Sequence, residues 1–182
     1  MAARRFVIRR LRKDPEIPFV SIDTNVVMAG LIAAHFPNLT RTVRLYFLQQ
    51  PMLACVSTDD FTAEIFIHSL LNHPSTPPEV LRFIIGHELI HLVVPGETID
   101  GKHTSHPPAF WEMEKALFPE RHLCWGWVRM NFRARIRFDM KEEGTYVKQG
   151  WKRAWGAPTC SWENVVQLGI VGQGGGIDPA EQ

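Results

Sequence analysis

The segment His87-Glu88-Leu89-Ile90-His91 has residue types and spacing that could do chemistry. Two histidines four apart stand one above the other on a helix face, so both imidazoles aim at one point. That geometry suits two corners of a tetrahedral zinc site. Glu88 leans to the side of the pair, within reach of a water on the metal rather than of the metal itself. The chemistry this allows is metal-assisted hydrolysis with the carboxylate as general base. With 8 histidines and 12 glutamates in 182 residues, chance supplies the pattern about 0.02 times, so coincidence explains it poorly.

The element that carries this motif must be a helix. Thr76-Pro77-Pro78-Glu79 marks its start, with Thr76 as N-cap, Pro77 at the first helical position and Glu79 completing a capping box. Pro95-Gly96 stops it, which predicts a helix over 77–94. Val80, Leu81, Phe83, Ile84, Leu89 and Ile90 spread over nearly every face, so the helix is expected to be central and buried. A carboxylate and two imidazoles inside such a helix cost several kcal/mol unless compensated, and one divalent cation compensates all three.

A catalytic zinc ion takes three protein ligands and leaves a fourth position for water. His103, His106, Glu97, Glu112 and Glu114 are the candidates for the third ligand. His106 is preferred, because it sits where a polar loop over 95–108 meets a second helix expected from Pro107 or Pro108 to just before Pro119. Phe110 and Trp111 can anchor that helix against the core. Tyr146, His122 and Arg121 are candidate donors to an oxyanion, with nothing to select among them. Trp125 and Trp127 are candidates for a cleft wall or for ordinary core filling.

The remaining elements form the frame. Strands are expected over 6–11, 43–48, 52–57 and 64–71, and a helix over 21–36. His68, on the third of the central strands, reads as a structural or surface histidine. Phe132, Ala134, Ile136 and Phe138 alternate with Arg133, Arg135 and Arg137, which predicts an amphipathic strand over 129–140. Residues 146–170 are assigned loosely to helix, and the glycines from 172 onward to a flexible tail over 172–182. The whole predicts one α+β domain over 1–171, with a small twisted sheet, the metal-binding helix packed on it and the second helix closing the site.

Hydrophobic residues at 45% and charged residues at 21% exclude a disordered chain and a coiled coil. No apolar run is long enough for a transmembrane helix, and no secretory signal is visible, so no membrane partner is expected. Cys55, Cys124 and Cys160 lie far apart with no C-x-x-C pair. This argues against a disulfide framework and for a reducing, cytoplasmic setting. The net charge of +1 hides two basic runs: six Lys/Arg in 1–13 and four arginines in 129–137, with no acid in either. If a polyanion such as DNA is a partner, it belongs at those segments.

Between Ile65 and Trp111 the chain resembles the SprT-like and YgjP-like metallopeptidases. An apolar strand ending in a leucine pair (Ile-Phe-Ile-His-Ser-Leu-Leu) and a Pro-bearing turn lead into the His-Glu-Leu-Ile-His helix. Beyond a loop, a histidine is followed at +4 and +5 by Phe-Trp. The resemblance implies a zincin-like core, one Zn²⁺ held by His87, His91 and His106, Glu88 as catalytic base, and a peptide or protein substrate. It also implies an edge strand at 64–71 that takes an extended peptide by strand addition. The chain departs from that family in lacking the cysteine pairs of a following zinc ribbon. Another departure is the long loop between His91 and His106, which carries the extra His103.

Overall fold

Asp59 shapes the turn that starts the sheet. Its carboxylate accepts the backbone N–H groups of Phe61 (2.9 Å) and Thr62 (2.7 Å) and the Thr62 hydroxyl (2.7 Å), folding one strand back on the next. In the computed structural model, which describes residues 15–139, 143–156 and 158–171, helix α1 (Thr24–His35) precedes strands β1 (Thr42–Leu48), β2 (Ala54–Thr58) and β3 (Thr62–His68). A 3₁₀ turn (Ser69–Leu71) then leads to helix α2 (Pro78–Ile90). Next come a hairpin of β4 (Glu97–Ile99) and β5 (Lys102–Thr104), then helices α3 (Pro108–Leu117) and α4 (Arg121–Phe132). A hairpin of β6 (Ile136–Asp139) and β7 (Gly144–Val147), a 3₁₀ turn (Trp151–Ala154) and helix α5 (Trp162–Val171) complete the described chain. The architecture is mixed α+β. The expected strand at 6–11, the basic run 1–13 and the tail 172–182 lie outside the described residues.

The main sheet has the order β1-β3-β2, with β1 parallel and β2 antiparallel to β3. The strand expected at 64–71 is therefore the central one, not an edge, and it ends at His68. Its unbroken apolar run explains this. Ile65, Phe66 and Ile67 are all fully buried, as befits a strand covered on both faces rather than one. The edge beside α2 is β2.

Nine of the thirteen residues of α2 are buried, and the helix packs on α1, α3, α4 and β2. Its start differs from expectation. Pro77 is the N-cap residue, and the Thr76 hydroxyl donates instead to the Leu71 carbonyl (2.9 Å), so no capping box forms. The helix ends at Ile90, short of 94, with His91 as a C-cap that keeps helical dihedrals (φ −58°, ψ −22°). A tight last turn follows, in which the amides of Leu92 and Val93 reach back only three residues, to Leu89 and Ile90. The loop expected over 95–108 contains the β4–β5 hairpin. Asp100 and Gly101 both take positive φ (51° and 77°) there, the two-residue turn that Asp-Gly favours.

The strand expected over 129–140 is half wrong. Residues up to Phe132 belong to α4, and only Ile136–Asp139 pair as β6. Cys124, Trp127, Val128 and Phe132 are all buried, at the three-to-four spacing of a helix face. That face outweighs the two-residue alternation that begins at Phe132. Trp127 is thereby core. The loose helix assigned to 146–170 resolves into the end of β7, a 3₁₀ turn and α5. Among the described residues no helix is long and apolar enough to cross a membrane.

Candidate metal centre

His87, on α2, and His91, at its C-cap, face His106 in the turn before α3, and one ring nitrogen from each lies within 4.8 Å of the others. The Nε2 atoms of His87 and His106 are 3.2 Å apart. Phe110, on α3, is fully buried and packs against all three rings, at centroid distances of 4.9, 4.5 and 4.6 Å. Trp111 stacks on His106 (5.0 Å, 23°). Both aromatics thus anchor the second helix at the site, as their positions suggested.

The far side of two of the rings, His87 and His106, fixes their tautomer. His87 Nδ1 lies 2.6 Å from Oε1 of Glu114, a carboxylate that is 1% exposed. His106 Nδ1 faces the Ser105 hydroxyl (3.0 Å) and Glu143 Oε2 (3.3 Å). A carboxylate behind Nδ1 places the hydrogen there and leaves Nε2 as a bare lone pair. Two lone pairs 3.2 Å apart repel unless a proton or a cation lies between them. Tetrahedral Zn–N bonds of about 2.0–2.1 Å put ligand nitrogens about 3.3 Å apart. The donor set therefore fits a metal ion.

Electrostatics follow the same arrangement. Burial, helped by the neighbouring imidazoles, depresses the pKa of His91 to about 2. Burial together with His87 depresses that of His106 to about 4, against the pull of Glu143. Both are held as neutral ligands. His87 is burdened by burial too, but the bond to Glu114 and the charges of Glu88 and Glu114 raise its pKa above the ordinary value. Burial pushes Glu88 up to about 7, with His87 opposing. Such a carboxyl can accept and return a proton near neutral pH.

A turn and a hairpin complete the support. Glu143 accepts from the hydroxyls of Thr104 (2.8 Å) and Ser105 (3.1 Å) and from the amides of Ser105 (2.9 Å) and His106 (3.2 Å). It does so from a positive φ of 49°, a conformation few non-glycine residues take. Those bonds hold its carboxyl below the ordinary range despite partial burial. Arg121 Nε sits 3.5 Å from Glu114 Oε2, extending the line behind His87.

A cavity of about 1050 Å³ opens beside the cluster, bounded by β2, α2, α4 and the β6–β7 hairpin. Glu88, Trp125, Arg121 and Tyr146 line it, as does Cys55, whose thiol burial and Glu88 push up to about 12. Among the other candidates, His122 is exposed on α4 and outside this cavity, and His103, Glu97 and Glu112 are exposed and outside the cluster. Glu114 is part of the site, but behind His87 rather than as a third ligand. His68 is structural, its Nδ1 accepting the Leu70 amide (2.8 Å) at the start of the 3₁₀ turn. Glu143, Thr104 and Ser105 were missed. Glu143 meets Thr104, Ser105 and His106 across 37 to 39 residues of sequence, and no spacing rule reaches that far. Compared with protein-family models, curated proteins and solved structures, the chain finds no match.

Proposed function

We propose that this chain is a zinc-dependent peptidase with a zincin-like core, of the SprT-like or YgjP-like kind. The observation that carries this is the pair of Nε2 lone pairs 3.2 Å apart, each backed by a carboxylate at Nδ1, with Glu88 beside them. Zinc held by His87, His91 and His106 would supply a polarised carbonyl and a water acidic enough to attack at neutral pH.

The chain's own residues do the rest. Glu88 lines the cavity, and burial keeps its carboxyl near neutral pKa. It takes the proton of the attacking water and passes it to the leaving amine. Glu114 and Glu143 hold two of the imidazoles in register. Tyr146 and Arg121 face the same cavity and are the donors placed to steady a developing oxyanion. The outer edge of β2 supports an extended polypeptide as substrate. The bond from the His68 amide to the Leu53 carbonyl sets the ladder phase, which turns the backbone groups of Ala54 and Val56 away from β3.

The test is metal analysis and hydrolysis of fluorescein-labelled casein by the purified chain. One zinc per chain is expected, lost in His106→Ala. Casein cleavage should fall at least a thousandfold in Glu88→Gln, with zinc retained. Full activity in Glu88→Gln, or a wild-type chain that holds no zinc, would defeat the proposal.

A further inference from the structure

Four arginines line the cavity, Arg121, Arg129, Arg133 and Arg137, against three acids, Glu88, Glu114 and Glu143. The acids are committed. Glu114 serves His87 and Arg121, Glu143 serves the turn that carries His106, and Glu88 stands at the metal position. Arg121 is thereby matched. Arg137 bonds Asp139 (2.8 Å) and lies over the Tyr146 ring (4.8 Å). Arg129 and Arg133 are different: among the described residues their side chains make no hydrogen bond or ion pair, and both are exposed. They lie four apart at the end of α4, on one face, where like charges disfavour the helix. The helix dipole rewards cations at that end whichever way they point. It does not explain why both point into the cavity that holds the metal ligands.

We infer that Arg129 and Arg133, with Arg137 beside them, form a subsite for carboxylate groups, so that the cavity selects acidic peptides. This rests on the reading of the cavity as a peptide site. A guanidinium presents a planar fork that matches a carboxylate through two parallel hydrogen bonds. A bound dication adds to the arginine excess and makes the whole cavity attractive to anions. Polypeptide fits better than nucleic acid for two reasons. The arginines share their cavity with Ala54 and Val56 of β2, whose backbone groups face away from β3, and Met130, Ile136 and Val56 interleave apolar surface with them. A strand with acidic side chains meets both features; a phosphate backbone has no use for the first.

Binding is measured on the zinc-supplemented Glu88→Gln chain, which cannot turn over what it binds. The probes are three fluorescein-labelled decapeptides of alanine and serine with a central Glu-Glu, Gln-Gln or Lys-Lys pair, and a ten-nucleotide oligothymidylate, all read by anisotropy. The Glu-Glu peptide is expected to bind at least tenfold more tightly than the Gln-Gln peptide at low salt, with the gap narrowing as salt is added. Adding R129Q/R133Q should erase that gap and leave Gln-Gln binding within twofold. Adding R129E/R133E should turn the preference to Lys-Lys. Equal binding of Glu-Glu and Gln-Gln, or a gap that survives R129Q/R133Q, would overturn the inference. Arginine-dependent binding of the oligonucleotide with no discrimination among peptides would also overturn it and assign the face to nucleic acid. The two proposals fail separately. A wild-type chain inactive on casein with the peptide preference intact sinks only the peptidase reading. An active chain without the preference sinks only the subsite.

Discussion

Imidazoles that bind a metal need their other nitrogen occupied, and here that need reaches two carboxylates on different elements. Glu114 is buried and held between His87 and Arg121. Its role is to keep His87 in one tautomer and orientation, which is worth about 10–100-fold in metal affinity at comparable sites. Glu114→Gln keeps the shape and removes the charge, so zinc affinity should drop by that factor in a competition assay with a chromophoric chelator. Glu112→Gln, one residue pair away and exposed, should leave it unchanged. Equal affinities in the two variants would mean that Glu114 only fills space. At this scale the sequence was informative where chemistry is local. His87, Glu88 and His91 are fixed by one helix turn, and His106 by a helix start with two aromatics behind it. Glu114 could be named only as a third-ligand alternative, because spacing says that a carboxylate is near and not which side of the ring it meets.

Two glycines show what element packing adds to local propensity. Gly30, on α1, and Gly86, on α2, are both helical, and either would gain roughly 1 kcal/mol of helix propensity as alanine. A methyl on Gly30 meets nothing within 4 Å, whereas one on Gly86 would overlap the ring of Phe118. Gly30→Ala should therefore raise the denaturation midpoint. Gly86→Ala should lower stability by about 1–3 kcal/mol, the usual cost of overpacking a tight core. Chemical denaturation of the two variants decides, and a Gly86→Ala chain as stable as wild type would mean that Phe118 moves aside freely.

The 3₁₀ turn after β3 carries its own pH dependence. Burial lowers the pKa of His68 to about 4 from its ordinary 6.5, with Glu16 opposing, so the unfolded chain binds this proton more readily. The contribution is whole above 6.5 and is lost as pH falls from 6.5 to 4, by about 3 kcal/mol. His68→Asn keeps an acceptor for the Leu70 amide and cannot titrate. Its stability should fall less steeply than that of wild type over that window, at equal zinc loading. The elements themselves were legible in proportion to their self-sufficiency. The α3 segment announces its amphipathic period, and the α2 and main-sheet segments announce themselves by near-continuous apolar runs between breakers. The 129–140 segment satisfies two periods at once, and only the core that receives Trp127 and Phe132 selects the helix.

Across the whole molecule, the metal cluster is a crossroads of separate chain segments. His87 and His91 belong to α2, His106 to the turn before α3, Glu114 to α3, Arg121 to α4 and Glu143 to the start of β7. The β6–β7 hairpin in turn joins the segment just before β2, through the Leu53 amide on the Thr145 carbonyl (2.7 Å) and the Val147 amide on the Pro51 carbonyl (2.7 Å). Such closure is invisible to motifs because it depends on where the whole chain returns. An ion held there would make stability depend on it. Without one, two lone pairs confront each other over a buried carboxyl. With one, the end of α2 and the turn before α3 are tied together. Zinc free at a thousand times its dissociation constant should stabilise the folded state by about 4 kcal/mol. At this chain length that is a rise of roughly 8–16 °C in melting temperature. Chelation should reverse the rise in wild type and in Glu88→Gln, and do nothing to His106→Ala, which has already lost the ion. Calorimetry of the three chains with and without chelator reads this directly. A wild-type chain that melts at the same temperature in both conditions would mean that the cluster folds without need of a cation.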